Sequence, residues 1–353
     1  MKIAVLNSGS SSLKYKLFEM PEGRLLESKI VEHIGEENSD IQTHQEALAH
    51  LAIEYNTLDA MGHRVVHGGE KFSSATLIDA EVLAQLEHLT PLAPLHNPAN
   101  IQGIRVAQEN APHLAQIAVF DTAFHSTMPK EAFLYALPLE MYEQHHIRRY
   151  GFHGSSHAFV TQEAAKLLNK DVDKINLITL HLGNGASACA VKNGKSIDTS
   201  MGFTPLEGLV MGSRCGDIDP AIVLYMQREL HLSVDEVDIL LNKESGLLGL
   251  CQKNDVRNIL EDRDEESMLA LKIMIRRLQK YIGAYMALLG QVDAVVFTGG
   301  IGENSSYIRD AVMQSEMFVA LNAIVIQTNE ELYIANEVVG FLKEKDLQAE
   351  PVN

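Results

Sequence analysis

The chain has 353 residues and a formal net charge of −18. This charge excludes a general affinity for nucleic acid or anionic membranes, because clustered lysine and arginine drive binding to polyanions. With 46% hydrophobic and 22% charged residues, the composition is that of a globular protein with cores rather than a disordered one, and the length allows two domains.

The sequence also bears on location and redox chemistry. No apolar run approaches the roughly 18 residues of a membrane span, and the few apolar residues after Lys2 are too short for a secretion signal. We therefore expect a cytoplasmic protein with neither nucleic acid nor membrane as partner. Cys189, Cys215 and Cys251 lie far apart without a C-x-x-C pair, which predicts free thiols and no zinc site.

Two segments half a chain apart share one pattern, an apolar run that breaks into a Gly/Ser turn and resumes. The first begins at Ile3 and turns near Gly9, and the second begins at Ile178 and turns near Gly183. Each copy predicts a strand, a tight turn and a second strand. Because such turns direct backbone N–H groups at an anion, we expect two phosphate cradles and a nucleotide held between two domains.

Hydrophobic periodicity predicts an α/β architecture that is built twice. The predicted strands are 3–6, 13–18, 24–31, 60–66 and 116–120 in the first half, and 177–181, 188–191 and 294–297 in the second. The predicted helices are 45–55, 80–89, 100–108, 158–168, 221–230 and 267–289. We place the domains at 1–121 and 122–330, with a C-terminal helix over 331–347 that returns to the first domain.

Four short segments concentrate histidine, arginine and glycine beside predicted strands. They are GHRVVHGG from Gly62, LHNP from Leu95, FDTAFH from Phe120 and RYGFHGSSH from Arg149. A single segment of this kind could hold only structural histidines, but four together at strand ends indicate a functional site.

The longest unusual block runs from Asp198 to Pro220 and is rich in turn residues around Arg214. Ordered loops of this length are usually functional. Arg64 and Arg214 are then one guanidinium candidate in each half, and two arginines meeting across a cleft would suit a transferring phosphoryl group.

A glycine-rich segment, Thr298 to Asn304, follows the predicted strand 294–297 and is predicted to be a strand-to-helix turn. It does not form a G-x-G-x-x-G fingerprint, although bare glycine backbone can still lie against a purine or ribose. The sequence contains no Walker A motif, no protein-kinase motif set and no G-x-S-x-G elbow, which excludes the common nucleotide-binding designs and a serine hydrolase.

Taken in order, these motifs strongly resemble those of the acetate kinase family. The resemblance covers residues 1 to about 335 and rests on NSGSSSLK, GHRVVHGGE, APLHNP, VFDTAFH, YGFHGSSH, HLGNG, DTSMGFTPLEGL and FTGGIGEN. It implies duplicated ribonuclease H-like domains of the actin, Hsp70 and sugar kinase type, with a nucleotide cleft between them. It further implies the reaction ATP + acetate ⇌ ADP + acetyl phosphate with Mg²⁺, or alternatively Mn²⁺, in a homodimer.

The resemblance assigns catalytic roles to four residues. Arg64 and Arg214 would grip acetate and the transferring phosphoryl group, and His153 would donate a hydrogen bond to that group. Asp121 would orient Arg64 or the metal site. A carboxylate is already ionised near neutral pH, so this nucleophile needs no general base.

The resemblance also assigns the binding residues. Asn7 and Glu330 match the magnesium site, and the methyl group of acetate would lie among Val66, Leu95, Phe152 and Pro205. The phosphate path would be lined by Ser10, Ser12, Lys14, His96, His181, Gly183, Asn184 and Gly185. The adenosine end would be held by Asp255, Arg257, Gly300, Ile301, Gly302 and Asn304.

The chain departs from the family in three places. The stretches before Gly62 and between Arg309 and Thr328 are shorter than in typical members, and both cuts spare the motifs. The segment from Leu250 to Asp255 lacks the family's Ser/Gly-rich character, which weakens the assignment of Asp255 and Arg257.

Two alternatives remain open from the sequence. A propionate or other short-chain acyl kinase fits the same motifs, because one methylene in an apolar pocket is worth only about 1–3 kcal/mol. A noncatalytic nucleotide-dependent clamp of the Hsp70 or actin kind could use the same fold, although Arg64, His153, Arg214 and Glu330 would then have no carboxylate to phosphorylate.

Overall fold

The computed structural model describes residues 1–9, 11–36, 39–93 and 96–349, without the side chains of 346–349. The chain forms two compact units. The first comprises Met1–Ser126 and the segment from Asn329 onward, and the second is Thr127–Thr328. The divisions fall after residues 126 and 328, where the sequence had placed them after 121 and 330.

The first unit is built on a six-stranded sheet of order β3-β2-β1-β4-β6-β5. Its strands are β1 (Lys2–Ser8), β2 (Ser12–Glu19), β3 (Arg24–Glu32), β4 (Ala60–Val65), β5 (Thr76–Leu77) and β6 (Ala115–Phe120). Its helices up to residue 126 are α1 (His44–Leu51), α2 (Ala80–His88) and α3 (Asn97–Asn110). Strands β1 to β3 form an antiparallel meander, and β4 and β6 continue the sheet in parallel with β1.

The second unit contains a five-stranded sheet of order β11-β10-β7-β8-β9. Its strands are β7 (Leu177–Leu182), β8 (Ala186–Lys192), β9 (Lys195–Thr199), β10 (Ala294–Thr298) and β11 (Ala323–Val325). Its helices are α4 (Lys130–Phe133), α5 (Glu140–His145), α6 (Gly154–Leu167), α7 (Pro220–Arg228), α8 (Val234–Lys243), α9 (Gly246–Cys251), α10 (Val256–Asp262), α11 (Glu265–Leu289), α12 (Gly299–Asn304) and α13 (Ser306–Met313).

The two sheets repeat one topology, which confirms the predicted duplication. In each unit an antiparallel three-strand meander is followed by a strand that pairs in parallel with the first strand of the meander. The predicted hairpins are therefore β1–β2 and β7–β8. The fold class read from the sequence, a duplicated α/β domain, is confirmed.

The last helix, α14 (Glu330–Ala349), belongs to the first unit. Alternate residues of β1 face opposite layers: Ile3 and Val5 pack with Ile334 and Val338 of α14, and Ala4 and Leu6 pack on the side of α1 and α3. A strand covered on both faces is a continuous apolar run, which explains the unbroken hydrophobic sequence at the N-terminus.

Some local predictions were wrong. The helix expected over 45–55 ends at Leu51, because Ala52 adopts a left-handed conformation that stops it. The expected glycine-rich turn after β10 is itself the helix α12. Several short helices of the second unit, among them α8, α9 and α10, had no counterpart in the sequence prediction.

The cysteines and the long loop follow the expectation. All three cysteines are free thiols, and residues 200–219 form a long segment without helix or strand. Within the described residues, no helix combines the length and the apolar character needed to cross a bilayer.

Candidate active site

The second unit places His153 and Arg214 around the glycine turn of the β7–β8 hairpin. A Cβ atom added to Gly185 would lie 3.4 Å from Nε2 of His153 and 3.7 Å from Nη1 of Arg214. The sequence brings these groups together through two devices. His153 adopts φ 57° directly before α6, and Arg214 lies in the loop between β9 and α7. An imidazole, a guanidinium and a bare glycine backbone therefore meet at one point, as an anion site requires.

The guanidinium of Arg214 is held by neutral atoms. Its Nη1 donates to the carbonyl oxygen of Pro205 at 3.0 Å and contacts Sδ of Met211 at 3.8 Å. In the described part of the chain, no carboxylate pairs with Arg214. Burial lowers the pKa of Arg214 from its usual value, so its positive charge is only partly compensated and is available for an anionic ligand.

The loop that carries Arg214 is fixed by an ion pair between Arg149 and Glu207, which was not predicted from the sequence. Arg149 donates to Glu207 at 2.6 Å and to the carbonyl oxygens of 199, 200 and 201. Tyr135 also donates to Glu207. Arg149 lies four residues before His153, so this one contact ties the segments that bear His153 and Arg214.

Histidines 153, 157 and 181 form a cluster under the hairpin turn. The rings of His153 and His181 stack with centroids 4.3 Å apart. Nδ1 of His181 lies 2.7 Å from Oγ of Ser156, which in turn lies 2.9 Å from Oγ1 of Thr328. Ser156 and His157 were not among the residues predicted for the site, although their spacing of three and four residues from His153 in GFHGSSH puts them on one face of a helix.

Most residues predicted for the adenosine end line a single cavity of about 580 Å³ in the second unit. The predicted residues among its lining are Gly183, Asn184, Asp255, Arg257, Gly300, Ile301 and Asn304. The sequence missed four further lining residues, Asn254, Val256, Leu260 and Ser305. The volume lies within the range of ligand pockets, about 300–1,000 Å³.

Three details qualify the individual predictions at this cavity. Gly302 is buried and its carbonyl oxygen accepts from Arg309, so it packs behind the cavity wall. Asp255 caps α10 by accepting from the backbone N–H of Arg257, and the two side chains form an exposed ion pair at 2.6 Å. The pKa of Asp255 is accordingly lowered by its hydrogen bonds to Arg257.

In the first unit, Arg64 at the end of β4 is surrounded by oxygen atoms. It donates to Asp121 through Nε at 3.2 Å and Nη2 at 2.5 Å, and to Oδ1 of Asn7 through Nη1 at 3.2 Å. The carboxylate of Glu330 lies 3.7 Å from its Nε. Although burial opposes it, the Asp121 and Glu330 carboxylates raise the pKa of Arg64. Asn7, Asp121 and Glu330 therefore all lie within 4 Å of the Arg64 guanidinium.

Glu330 is the first residue of α14 and approaches this cluster from the C-terminal segment. Burial raises the pKa of Glu330 to about 7, and the charges of Asp121 and Glu331 add to that rise while Arg64 opposes it. Within the described residues, no group of three or more His, Cys, Asp or Glu is arranged around a common point for a metal. Asn7 and Glu330 nonetheless offer amide and carboxylate oxygens, the donors that Mg²⁺ uses when water and phosphate complete its shell.

The first hairpin turn is closed by a hydrogen bond from the backbone N–H of Gly9 to the carbonyl oxygen of Ser12 at 2.8 Å. Lys14 is exposed on β2. Ser10 and Leu95, predicted for the phosphate path and the methyl pocket, lie outside the described residues.

The remaining predicted positions divide between the units. Val66 is buried, and its backbone N–H donates to Asn100. His96 directly precedes α3. In the second unit Phe152 is buried and Pro205 is partly exposed.

The space at Gly185 can be tested by filling it. Gly185→Ala puts a methyl group between His153 and Arg214 at distances that the fold tolerates, so we expect kcat to fall at least about tenfold with little change in melting temperature. Gly283→Ala is the matched control, because a Cβ there meets no atom within 4 Å and alanine favours the helix. Steady-state kinetics and thermal unfolding check both variants; unchanged kcat in Gly185→Ala would remove the turn from the site.

The duplicated fold, with a glycine turn in each β-hairpin, is that of the actin-like ATPase and sugar kinase class. The Acetokinase family model matches residues 2–336. Acetate kinase from Sulfurimonas denitrificans is 50% identical over 97% of this chain and 100% of its own length. Among solved structures, Porphyromonas gingivalis acetate kinase superposes with a TM-score of 0.91 at 40% identity, covering 97% of this chain and 99% of its own.

A propionate kinase from Francisella tularensis is similar to almost the same degree, with a TM-score of 0.90 and 42% identity, covering 95% of this chain and 98% of its own. The chain belongs to the acetokinase family.

Proposed function

We propose that this protein is an acetate kinase that transfers the γ-phosphoryl group of ATP to acetate, reversibly, giving acetyl phosphate and ADP. The observation that carries the proposal is the convergence of His153 and Arg214 on the Gly185 turn in a chain of the acetokinase family. In the forward direction, an acetate oxygen forms the new P–O bond and the bond from the γ-phosphorus to the bridging oxygen breaks. ADP leaves with that electron pair, and no proton needs to be removed from the nucleophile.

The proposed catalysis is therefore electrostatic and positional. The transferring group carries its charge on three oxygens. Arg214 and the N–H edge of His153 would bind these oxygens on the Gly185 turn, and Arg64 would bind acetate and the same group. Fixed donors cost no reorganisation at the moment of transfer, which is why they lower the barrier more than water does.

Asp121 acts on Arg64 rather than on the substrate. Its carboxylate is 1% exposed and accepts two hydrogen bonds from Arg64. This contact fixes the plane of the guanidinium and leaves Nη1 directed toward Asn7. We infer that Asp121 orients Arg64 for bidentate binding.

Magnesium would be held by Asn7 and Glu330, together with the phosphates of ATP and water. When bound, it would neutralise charge on the phosphate oxygens. The residues present fit this metal because both supply oxygen donors and neither supplies sulfur or nitrogen, and Mn²⁺ accepts the same donors.

The nucleotide would bind in the 580 Å³ cavity. The bare backbone of Gly300 allows close approach of a flat base or a ribose, since a Cβ there meets nothing within 4 Å. Ser10, Ser12, Lys14, His96 and His181 remain proposals for the phosphate path.

The choice of acyl group is the least determined part of the proposal. Val66, Leu95, Phe152 and Pro205 would form the methyl pocket, and a propionate kinase would use the same residues. We expect kcat/KM for acetate to exceed that for propionate by about tenfold, since one methylene is worth about 1–3 kcal/mol. Parallel kinetics with acetate, propionate and butyrate decide this, and a higher value for propionate would reassign the substrate.

Formation of acetyl phosphate distinguishes the kinase from the alternative of a noncatalytic nucleotide-dependent clamp. Folded protein incubated with ATP, Mg²⁺ and acetate should yield acetyl phosphate, which hydroxylamine traps as a hydroxamate. Nucleotide binding without hydroxamate would favour the clamp. We further propose a cytoplasmic homodimer, for which light scattering of the purified protein gives the mass.

A further inference from the structure

Ser187 on β8 connects two histidines with one hydroxyl group. Its Oγ lies 2.8 Å from Nδ1 of His153 and 2.8 Å from Nε2 of His157. His157 continues the chain, because its Nδ1 lies 2.7 Å from Oγ1 of Thr179 on β7. Ser187, His157 and Thr179 are each 0% exposed, so these hydrogen bonds are shielded from bulk solvent.

The Ser187 hydroxyl has one proton and can accept two hydrogen bonds. If both imidazoles donated to it, its own proton would have no acceptor among the hydrogen bonds of the described residues, which is costly at a fully buried position. When that arrangement is set aside and His153 and His157 are neutral, the chain can run in only two directions. Either every group donates toward His153, or every group donates toward Thr179. A neutral imidazole has one N–H and one lone pair. The direction of the chain therefore decides which nitrogen of His153 carries the proton.

The surroundings of Nε2 of His153 favour one of the two directions of hydrogen-bond donation. Nε2 of His153 lies on the side of Gly185 and Arg214, where the proposed phosphoryl group binds. A lone pair at Nε2 would repel phosphoryl oxygens, whereas an N–H would donate to them. The Arg214 guanidinium lies on the same side, and a neighbouring positive charge favours the neutral form of an imidazole.

We propose that Ser187, backed by His157 and Thr179, is a positioning residue that fixes His153 in the Nε2–H tautomer. Thr179 Oγ1–H donates to His157 Nδ1, His157 Nε2–H donates to Ser187 Oγ, and Ser187 Oγ–H donates to His153 Nδ1. His153 is left with its N–H directed at the phosphoryl site. This proposal rests on the proposed function for the identity of the anion, but the tautomer itself is measurable without turnover.

The primary experiment is nitrogen-15 NMR of the histidine side chains in the folded enzyme. The His153 signal is assigned by its loss in His153→Gln. In the wild type, we expect a neutral ring with the proton on Nε2 and a hydrogen-bonded, unprotonated Nδ1. A proton on Nδ1 would overturn the proposal whatever the activity.

Substitutions of Thr179 and Ser187 test whether the hydrogen-bond chain determines the tautomer of His153. Thr179→Val keeps the shape of the side chain and lies three hydrogen bonds from His153, so it should shift the His153 ring toward the Nδ1–H tautomer without touching the substrate. Thr179→Ser restores the hydroxyl and should restore the wild-type spectrum. Ser187→Ala breaks the chain at its centre and should give the larger shift.

Kinetics provide the second readout. A wrong tautomer in a catalytic triad lowers kcat about 10⁴-fold, and for the less central role here we expect about tenfold or more in Ser187→Ala, with the KM values for acetate and ATP nearly unchanged. If the tautomer shifts as expected in the variants but even the wild type forms no acyl phosphate, the role of the hydrogen-bond chain is supported and the proposed function fails. If the enzyme is active and both Thr179→Val and Ser187→Ala leave the tautomer and kcat unchanged, the proposal that Ser187 positions His153 is wrong.

Discussion

Replacing Arg214 with alanine is expected to lower kcat by about 10³-fold or more while leaving the fold intact. The size follows from arginine fingers in other phosphoryl-transfer proteins, which contribute about 10³–10⁵ in rate. The intact fold follows from the surroundings of Arg214. Its hydrogen bonds end on a backbone carbonyl and a thioether, so its removal leaves no carboxylate without a partner.

Arg214→Lys separates charge from geometry. Lysine keeps the positive charge but cannot form the fork that binds two phosphoryl oxygens, so we expect a kcat between those of the wild type and the alanine variant. Arg228→Ala, on the exposed end of α7, is the matched control and should leave both kcat and melting temperature unchanged. A loss below about tenfold in Arg214→Ala, equivalent to about 1.4 kcal/mol, would contradict the role.

Replacing Arg64 with alanine is expected to produce two losses instead of one. The rate should fall about 10³-fold or more for the same reason. In addition, the buried carboxylate of Asp121 loses the partner that donates two hydrogen bonds to it, and removing one member of a buried pair costs about 3–5 kcal/mol. A lower free energy of unfolding should therefore accompany the loss of rate.

The two losses at Arg64 can be separated. Arg64→Ala combined with Asp121→Asn removes the buried charge that has lost its arginine partner, so stability should partly recover while kcat remains low. Arg24→Ala is the control for the loss of an ion pair, because the contact of Arg24 with Glu19 is exposed and such pairs contribute about 0–1 kcal/mol. If activity returned with stability in the double variant, Arg64 would be a structural residue only.

The contrast between the two arginines follows from their surroundings. Arg64 is surrounded by acidic side chains that raise its pKa, whereas Arg214 is surrounded by neutral atoms and its pKa is lowered by burial. The first is a preoriented donor whose charge is already balanced. The second carries a charge that only an anionic ligand balances within the second unit, and we expect its loss to affect phosphate affinity more strongly.

Local sequence signals predicted the elements that depend on local chemistry. The two hairpins were predictable because an apolar run, a Gly/Ser turn and a second apolar run restrict the chain to few conformations. The capping box at Ser233 and Glu236 carried the same kind of information about α8 and was overlooked. Helix α12 could not be predicted in this way, because glycine disfavours a helix and the contacts of α12 with β7, β10 and α13 form only in the folded chain.

The sequence by itself determined the duplicated α/β class, the family and the candidate catalytic and binding residues, since motifs such as GFHGSSH and DTSMGFTPLEGL contain them directly. Only the tertiary structure decided which atoms of these residues meet. Arg64 donates hydrogen bonds to Asp121 and to Asn7, and each of these partners is 57 residues away along the chain. Ser187 is 34 residues from His153. No local pattern encodes such contacts, because they arise when separate strands and helices pack and bring the ends of their side chains within hydrogen-bonding distance.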